Sequence, residues 1–227
     1  MTSLASLRLY AFLTLFTVVT AFVGPALTHP AIRRFGFDEV LLVALGGVGL
    51  YLAPRTGFAD LLDGRVSQWQ RWGRPALVGL AFGLTDWLIY ILVIHPEPVT
   101  VLMPFMQPFP YSVLLYGSGA LYVEVLYRLI PIPVLLWLIG RFLRHDLANG
   151  RLFWVLAGLS SLIEPLDQLI TDSPGLMAYS FGTGYSMNLV QAAFFRWYGF
   201  GAGLSVRLGH YALWHVGFGL WVELAQG

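Results

Sequence analysis

Glu124 and Arg128 are charged residues whose types and spacing could support chemistry inside a membrane. They are the only charges in residues 111–140, where the other residues are apolar, aromatic or small. In a helix, an acid four residues before a base shares its face and lies within pairing reach. The carboxylate could act as a general base towards a water molecule, with the arginine orienting it. The alternative is a structural ion pair, because pairing is how a bilayer tolerates charge.

Glu164 and Asp167 form a second acidic pair, three residues apart and separated by Pro165 and Leu166. Two close carboxylates can share one proton, so the pair would be suited to carrying protons. The alternative is that the helix ends near Glu164 and leaves both acids in the outer membrane interface. The polar residues that follow, beginning at Asp172, are consistent with that ending.

His210 and His215 lie in a late apolar segment, where either could serve as an electrophile. At roughly 100° per residue, a regular α-helix points residues five apart about 140° away from each other. Both could face one metal ion only on a distorted helix, and we predict neither a metal site nor a cofactor. Trp214 shares a face with His210. The alternative for each histidine is a buried ring with its hydrogen bonds satisfied.

Three more charged residues lie within or beside apolar segments. Asp86 has no evident partner in the sequence. Arg196 and Arg207 flank a predicted span, and we expect both side chains to extend to a membrane interface.

The composition indicates a polytopic membrane protein. Hydrophobic residues make up 57% of the 227-residue chain and charged residues 11%, against about 25% charged in soluble proteins. The net charge of +1 gives no electrostatic footprint for nucleic acid. The absence of cysteine excludes disulfides, thiolate catalysis and cysteine-ligated metal. Sequence patterns for a zinc-peptidase helix and for a serine nucleophile elbow are also absent.

Apolar runs of about 20 residues predict an all-α integral membrane protein with about seven transmembrane helices in one bundle around a central polar cavity. The predicted spans are residues 9–27, 40–53, 76–94, 111–140, 152–170, 186–204 and 208–225. We predict a single multi-pass domain over residues 1–227. Residues 54–75 would form an interfacial loop or a short amphipathic helix.

The distribution of arginine predicts the orientation in the plasma (inner) membrane. Arginines cluster in residues 54–75 and 141–151 and are absent from residues 95–110 and 171–185. The positive-inside rule places the two clusters and the N-terminus on the cytoplasmic side. Arg33 and Arg34 run against this assignment, because their loop would then lie outside.

Three stretches of the chain resemble motifs of the CPBP intramembrane proteases, also known as the Abi or CAAX-processing family. Residues 117–141 resemble the family's first motif helix, which carries two glutamates, three residues and then arginine. Residues 151–169 resemble the next helix, which carries phenylalanine, three residues and then histidine. Residues 195–215 resemble the late helix, which ends in histidine, three residues, then asparagine or aspartate. The resemblance covers about residues 50–215, in the family's order.

The residues present match parts of the first and third motifs only, and in the second motif Ile163 stands at the phenylalanine. Glu124 and Arg128 match the second glutamate and the arginine of the first motif, while Val123 stands at its first glutamate. His210 matches the histidine of the third motif, while Trp214 stands at its asparagine or aspartate. The resemblance implies peptide-bond hydrolysis within the membrane by a water that a glutamate and a histidine activate. It also implies a catalytic role for the three matching residues.

Asp167 aligns with the histidine of the second motif. The residues expected to line the site beside the catalytic ones are Glu164, Asp167, Trp214 and His215. Whether the protein is an enzyme stays open. The alternatives are a non-catalytic member of the same fold, which binds a peptide, lipid or partner helix, and a proton-linked carrier. The expected partners are the lipid bilayer and a membrane-embedded peptide, with no nucleic acid.

Overall fold

A computed structural model of the protein describes residues 1–27, 32–142 and 150–226, and all regular elements in these ranges are helical. The α-helices are α1 (Leu4–Ala26), α2 (Phe37–Leu52), α3 (Arg74–Ile89), α4 (Tyr111–Glu124), α5 (Pro131–Phe142), α6 (Arg151–Asp167), α7 (Pro174–Tyr198), α8 (Phe200–Tyr211) and α9 (Phe218–Gln226). Four π-helical segments, Trp69–Gly73, Tyr90–Ile94, Val125–Leu129 and Ala212–Gly217, and a 3₁₀ turn at Ala53–Thr56 extend or join them.

Four continuous helical stretches are long and apolar enough to cross a membrane. They are Leu4–Ala26, Phe37–Thr56, Trp69–Ile94 and Tyr111–Phe142. They contain nearly all of the first four predicted spans. The prediction of an all-helical protein is therefore confirmed for the described residues, together with the presence of helices long and apolar enough to cross a membrane. The total of seven spans stays a prediction.

The boundaries predicted for the sixth span are wrong. Helix α7 already begins at Pro174, where the Ser173 side chain accepts a hydrogen bond from the Leu176 backbone N–H at 3.2 Å. The glycine- and serine-rich stretch after Pro174 is therefore helical, although its composition is typical of a loop. The helix then ends at Tyr198, because Gly199 adopts a φ of 88° and a Cβ there would lie 2.6 Å from the Asp60 carbonyl oxygen.

Three of the π-helical segments come shortly before a proline: Pro75, Pro96 and Pro131. A proline donates no hydrogen bond and crowds the carbonyl of the residue four positions earlier. A turn widened by one residue relieves this conflict, as in the 3.1 Å hydrogen bond from the Ile130 N–H to the Val125 carbonyl. The widened turn lets the helix of Glu124 continue into α5 through Pro131.

Helices α3 and α8 approach closely because glycines face each other at their contact. A Cβ on Gly79 would lie 1.9 Å from the Val206 carbonyl oxygen, and one on Gly209 would lie 2.2 Å from that of Ala76. Gly83, one turn after Gly79, faces the His210 carbonyl in the same way. Small residues four apart allow this backbone-to-backbone packing between membrane helices. The contact fixes the position of α3 against His210.

One end of the bundle, named here the arginine-rich end, contains the start of α1, residues 53–73 and Gly199. Asp60 ties these parts together, because its Oδ2 accepts hydrogen bonds from the Ser3 N–H at 3.1 Å and the Ser6 hydroxyl at 2.7 Å. The described arginines near this end are Arg8, Arg55, Arg65, Arg71, Arg74, Arg141, Arg151 and Arg196. The largest buried apolar cluster lies towards this end and includes Leu61, Phe153 and Phe200.

Residues 57–67, where an interfacial loop or a short helix was expected, form turns and irregular backbone. The Arg71 guanidinium holds this loop by donating hydrogen bonds to the carbonyls of Asp63 and Val66. Arg65 donates to the Asp63 carboxylate at 2.7 Å, and this hydrogen bond lowers the pKa of the Asp63 carboxyl to about 2. The helix that leads into α3 starts only after this loop.

The opposite end, named here the cavity end, contains residues 32–36, 95–110 and 168–173. The Arg33 N–H donates to the Gln107 side-chain oxygen at 2.8 Å, and the Tyr111 hydroxyl donates to the Arg33 carbonyl at 2.7 Å. The Phe109 N–H donates to the Glu223 carboxylate at 3.1 Å and so holds α9 at this end. The hydrogen bonds of Arg33 fix residues 32–36 against the loop before α4.

Candidate functional site

Arg207 lies at the centre of a buried group of charges between α4, α6 and α8. Its Nη1 and Nη2 donate to the two oxygens of Glu164 at 2.7 Å and 2.6 Å. Its Nε donates to Oε1 of Glu124 at 3.1 Å. The Arg207 side chain is only 1% exposed. The expectation that it extends to a membrane interface is wrong, because two carboxylates hold it inside the bundle.

Arg128 completes the group, which is named here the ion cluster and consists of Glu124, Arg128, Glu164 and Arg207. Its Nη2 lies 3.4 Å from Oε1 of Glu124, so the predicted pair forms. The side-chain oxygens of Asn188 and Gln191 on α7 accept hydrogen bonds from both arginines, at 3.1 Å and 3.2 Å from Arg207. Two acids and two bases give the cluster no net charge when all four are ionised. Its donors and acceptors tie four helices together.

Arg196, unlike Arg207, lies at the arginine-rich end, because it belongs to the last turn of α7. Its Nη1 donates to the Thr56 carbonyl at 2.6 Å, and its guanidinium lies 4.9 Å from the centre of the Phe58 ring. Its role is to attach the end of α7 to the loop after α2.

A cavity of about 680 Å³ lies next to the ion cluster, towards the cavity end. Its wall is formed by α2, α3, α4, α6, α7, α8, the π-helical segments Tyr90–Ile94 and Ala212–Gly217, and the loops of the cavity end. Rings from several of these elements line it, among them Tyr90, Phe105, Tyr116, Tyr122 and Trp214. Such a volume lies within the range of small-molecule sites, about 300–1,000 Å³.

Val123 lines this cavity, whereas Glu124 and Arg128 lie behind the wall. The Glu124 side chain is 0% exposed and turns into the ion cluster. Its Oε2 faces Gly203 of α8, where an added Cβ would lie 3.4 Å away. This oxygen has no hydrogen-bond partner among the described residues. The carboxylate that the sequence singled out is therefore on the wrong side of α4 to meet a molecule in the cavity.

Asp86 and His210 form a pair on the cavity wall. Asp86 Oδ2 lies 2.6 Å from His210 Nε2, and the Tyr179 hydroxyl donates to the other Asp86 oxygen. The group connects α3, α7 and α8. Sequence reasoning left Asp86 without a partner, but one signal was available. Asp86 lies two helical turns after Gly79, on the face where the glycines predict the closest contact.

His210 and His215 both line the cavity, with ring centres 6.1 Å apart. In a regular helix the two side chains would point in different directions. The π-helical segment Ala212–Gly217 adds a residue to the turn between them, so both rings come to the same side of the helix. His215 Nδ1 lies 2.9 Å from the Phe105 carbonyl oxygen, and its ring stacks on Tyr116 at 4.3 Å. Within the described residues, no group of three or more possible ligands could hold a metal ion.

The predicted pairing of Glu164 with Asp167 is wrong. Glu164 is buried and bound to Arg207, whereas Asp167 is exposed and is not among the described residues that line the cavity. Gln168 lines it instead, four residues after Glu164 and on the same helix face. The alternative that both acids lie in the outer membrane interface does not hold either, because Glu164 is buried and only Asp167 is exposed.

The structure thus brings Glu164, His210, Trp214 and His215 to one cavity, with Glu124 and Arg128 behind it. The charges inside the bundle are already matched to each other, and the remaining wall is largely aromatic. Such a space suits an amphiphilic molecule better than a strongly charged one. Comparison of the chain with models of known protein families, with curated proteins and with solved structures finds no match.

Proposed function

We propose that this is a multi-pass membrane protein with a CPBP-like bundle that binds an amphiphilic membrane ligand in its cavity without hydrolysing it. The observation that carries the proposal is the orientation of α4. Val123 occupies the wall position where hydrolysis would need a carboxylate, and Glu124 is held in the ion cluster. A general base must lie within hydrogen-bond reach of the attacking water. Valine has no group that can take the proton.

In this proposal the chain is one domain of about seven spans in the plasma (inner) membrane. The arginine-rich end faces the cytoplasm, in accordance with the positive-inside rule. The cavity end then faces outwards. The ion cluster acts as a clasp that holds α4, α6 and α8 around the cavity, because breaking it would leave charge unpaired inside the bundle.

Filling the cavity is expected to abolish ligand binding. Gly119 lines the cavity, and a Cβ added there meets no atom within 4 Å, so Gly119→Trp places an indole in the space without a backbone clash. Gly182→Trp is the matched control, because Gly182 is a helical glycine with equally open surroundings that does not line the cavity. Binding is measured on purified protein in detergent with phosphatidylglycerol, phosphatidylcholine, a prenylated peptide and a single-span apolar peptide.

We expect at least one of these probes to bind the wild type and Gly182→Trp saturably. We expect its affinity for Gly119→Trp to fall at least about tenfold, which is 1.4 kcal/mol. Unchanged binding of every probe to Gly119→Trp would contradict the proposed function, as would the absence of any saturable binding to the wild type.

A second candidate, an intramembrane endopeptidase with a rearranged site, is favoured by the Asp86–His210 pair. An imidazole held by a carboxylate is a familiar general base. In this candidate His210 takes a proton from water, which attacks a peptide carbonyl. The geometry favours binding instead, because Asp86 occupies Nε2 of His210. The remaining nitrogen, Nδ1, is buried and has no hydrogen-bond partner among the described residues.

Peptide hydrolysis separates the two candidates. We expect wild type, Asp86→Asn, His210→Ala and Glu124→Gln to cleave a panel of prenylated and transmembrane peptides no faster than buffer, with products followed by mass spectrometry. If the endopeptidase candidate is correct, the wild type cleaves a peptide and Asp86→Asn or His210→Ala slows it about 10²–10⁴-fold. Glu124→Gln should then affect stability more than turnover, because Glu124 does not line the cavity.

A further inference from the structure

Arg33 and Arg34 stand at the mouth of the cavity and are both exposed. The described loops of the cavity end, residues 32–36, 95–110 and 168–173, contain no other arginine. The positive-inside rule explains the arginines of the opposite end and gives no reason for these two. The fold fixes their position. Gln107 and Tyr111 hydrogen-bond the backbone of Arg33, and Phe35, which follows Arg34, is buried.

The positive charge at this mouth is not neutralised by an ion pair within the described residues. Four acids also line the cavity, and three of them already have partners. Asp86 binds His210, Glu164 binds Arg207, and Glu39 accepts a hydrogen bond from the Gly36 N–H at 2.6 Å. The fourth, Asp172, is exposed at the rim. An anion would therefore be attracted to the two arginines, because the described cation deeper in the wall, Arg207, is already bound to two carboxylates.

Below the arginines the wall is aromatic and apolar. Tyr116 lines this wall, and its ring stacks on His215 at 4.3 Å. Further round, Phe105 stacks on Trp214 at 5.0 Å. The site thus has a cationic rim and a largely apolar and aromatic interior of about 680 Å³. A guanidinium matches phosphate oxygens with two parallel hydrogen bonds.

We propose that the ligand is an anionic phospholipid, with its phosphate at Arg33 and Arg34 and its acyl chain among the rings of the cavity. This inference rests on the proposed function and names its ligand. The cationic rim selects the headgroup, and the apolar wall excludes a free phosphate ion as the main ligand. A zwitterionic lipid gains less from the rim, because its cationic group offsets the phosphate charge.

The test is a lipid titration of the full chain in a neutral detergent, followed by native mass spectrometry. The probes are phosphatidylglycerol, phosphatidylcholine, inorganic phosphate and an acidic single-span peptide. Each arginine near an anionic lipid contributes roughly 1 kcal/mol, so Arg33→Gln/Arg34→Gln should weaken phosphatidylglycerol binding about 30-fold. Its phosphatidylcholine binding should stay unchanged. The matched control is Arg65→Gln/Arg74→Gln at the arginine-rich end, which should bind both lipids like the wild type.

The inference is overturned if both lipids bind alike and the Arg33→Gln/Arg34→Gln variant binds them like the wild type. It is also overturned if inorganic phosphate or the acidic peptide competes with phosphatidylglycerol at equal concentration. In either case the proposed function survives as long as Gly119→Trp blocks binding. Equal binding of all four probes of the proposed function, the two lipids and the two peptides, to Gly119→Trp and wild type removes the proposed function itself, whatever the arginine variants do.

Discussion

Arg207→Met is expected to cost about 3–5 kcal/mol of unfolding free energy, since breaking a buried ion pair leaves the partner charge uncompensated. Arg207 binds both oxygens of Glu164 and one oxygen of Glu124, so its loss affects two carboxylates. Thermal unfolding of purified protein in detergent, followed by loss of the monodisperse peak in size exclusion, measures the effect. Arg65→Met is the control. Its partner Asp63 lies in a loop and the Arg65 side chain is 87% exposed, so we expect this variant to unfold close to the wild-type temperature.

Two further variants show whether unpaired charge is the cause. Arg128→Met should destabilise less than Arg207→Met, because Glu124 keeps its contact with Arg207. The double variant Arg207→Met/Glu164→Leu should recover part of the lost unfolding free energy. It also removes the Glu164 carboxylate, which the single variant leaves buried without its arginine. An Arg207→Met protein that melts at the wild-type temperature would show that these charges are not a clasp.

Gly79→Ala is expected to cost about 1–3 kcal/mol, the usual cost of overpacking a closely packed contact. The new methyl group would lie 1.9 Å from the Val206 carbonyl oxygen, a backbone atom that cannot move aside without shifting α8. That shift would also change the distance between Asp86 on α3 and His210 on α8. The unfolding temperature in detergent measures the stability change.

Gly182→Ala is the control for this substitution. Gly182 lies within α7, where an added Cβ meets no atom within 4 Å. Replacing an interior helical glycine by alanine there should stabilise the protein by about 0.5–1 kcal/mol, because alanine loses less conformational freedom. If Gly79→Ala and Gly182→Ala shift the unfolding temperature equally and in the same direction, close backbone packing is not what holds α3 against α8.

The pairing of Glu124 with Arg128 could be predicted because both residues belong to one helix. Spacing along a helix fixes which side chains are neighbours, whatever the rest of the chain does. The same local rules predicted the apolar helices, since hydrophobic run length follows from the sequence alone. They did not predict that α7 begins at Pro174, because glycine and serine are common both in loops and in closely packed membrane helices.

The side of α4 that faces the cavity could not be predicted. Val123 and Glu124 are neighbours, so a rotation of the helix by about 100° exchanges their environments. That rotation depends on the partners of Glu124, and its strongest partner is Arg207, 83 residues later in the chain. The helix of Glu124 does line the cavity, but which of its residues meets the cavity is decided by packing.

The sequence by itself determined the helical membrane class, the Glu124–Arg128 pair and the unequal distribution of arginine between the two ends. Each of these depends only on composition or on spacing within one segment. The tertiary structure alone decided that Arg207 is buried, that Asp86 meets His210, and that the two late histidines share a cavity. The physical reason is that these contacts join different helices or depend on a π-helical turn. Their geometry follows from how close glycines let backbones come and from where the helical repeat is interrupted.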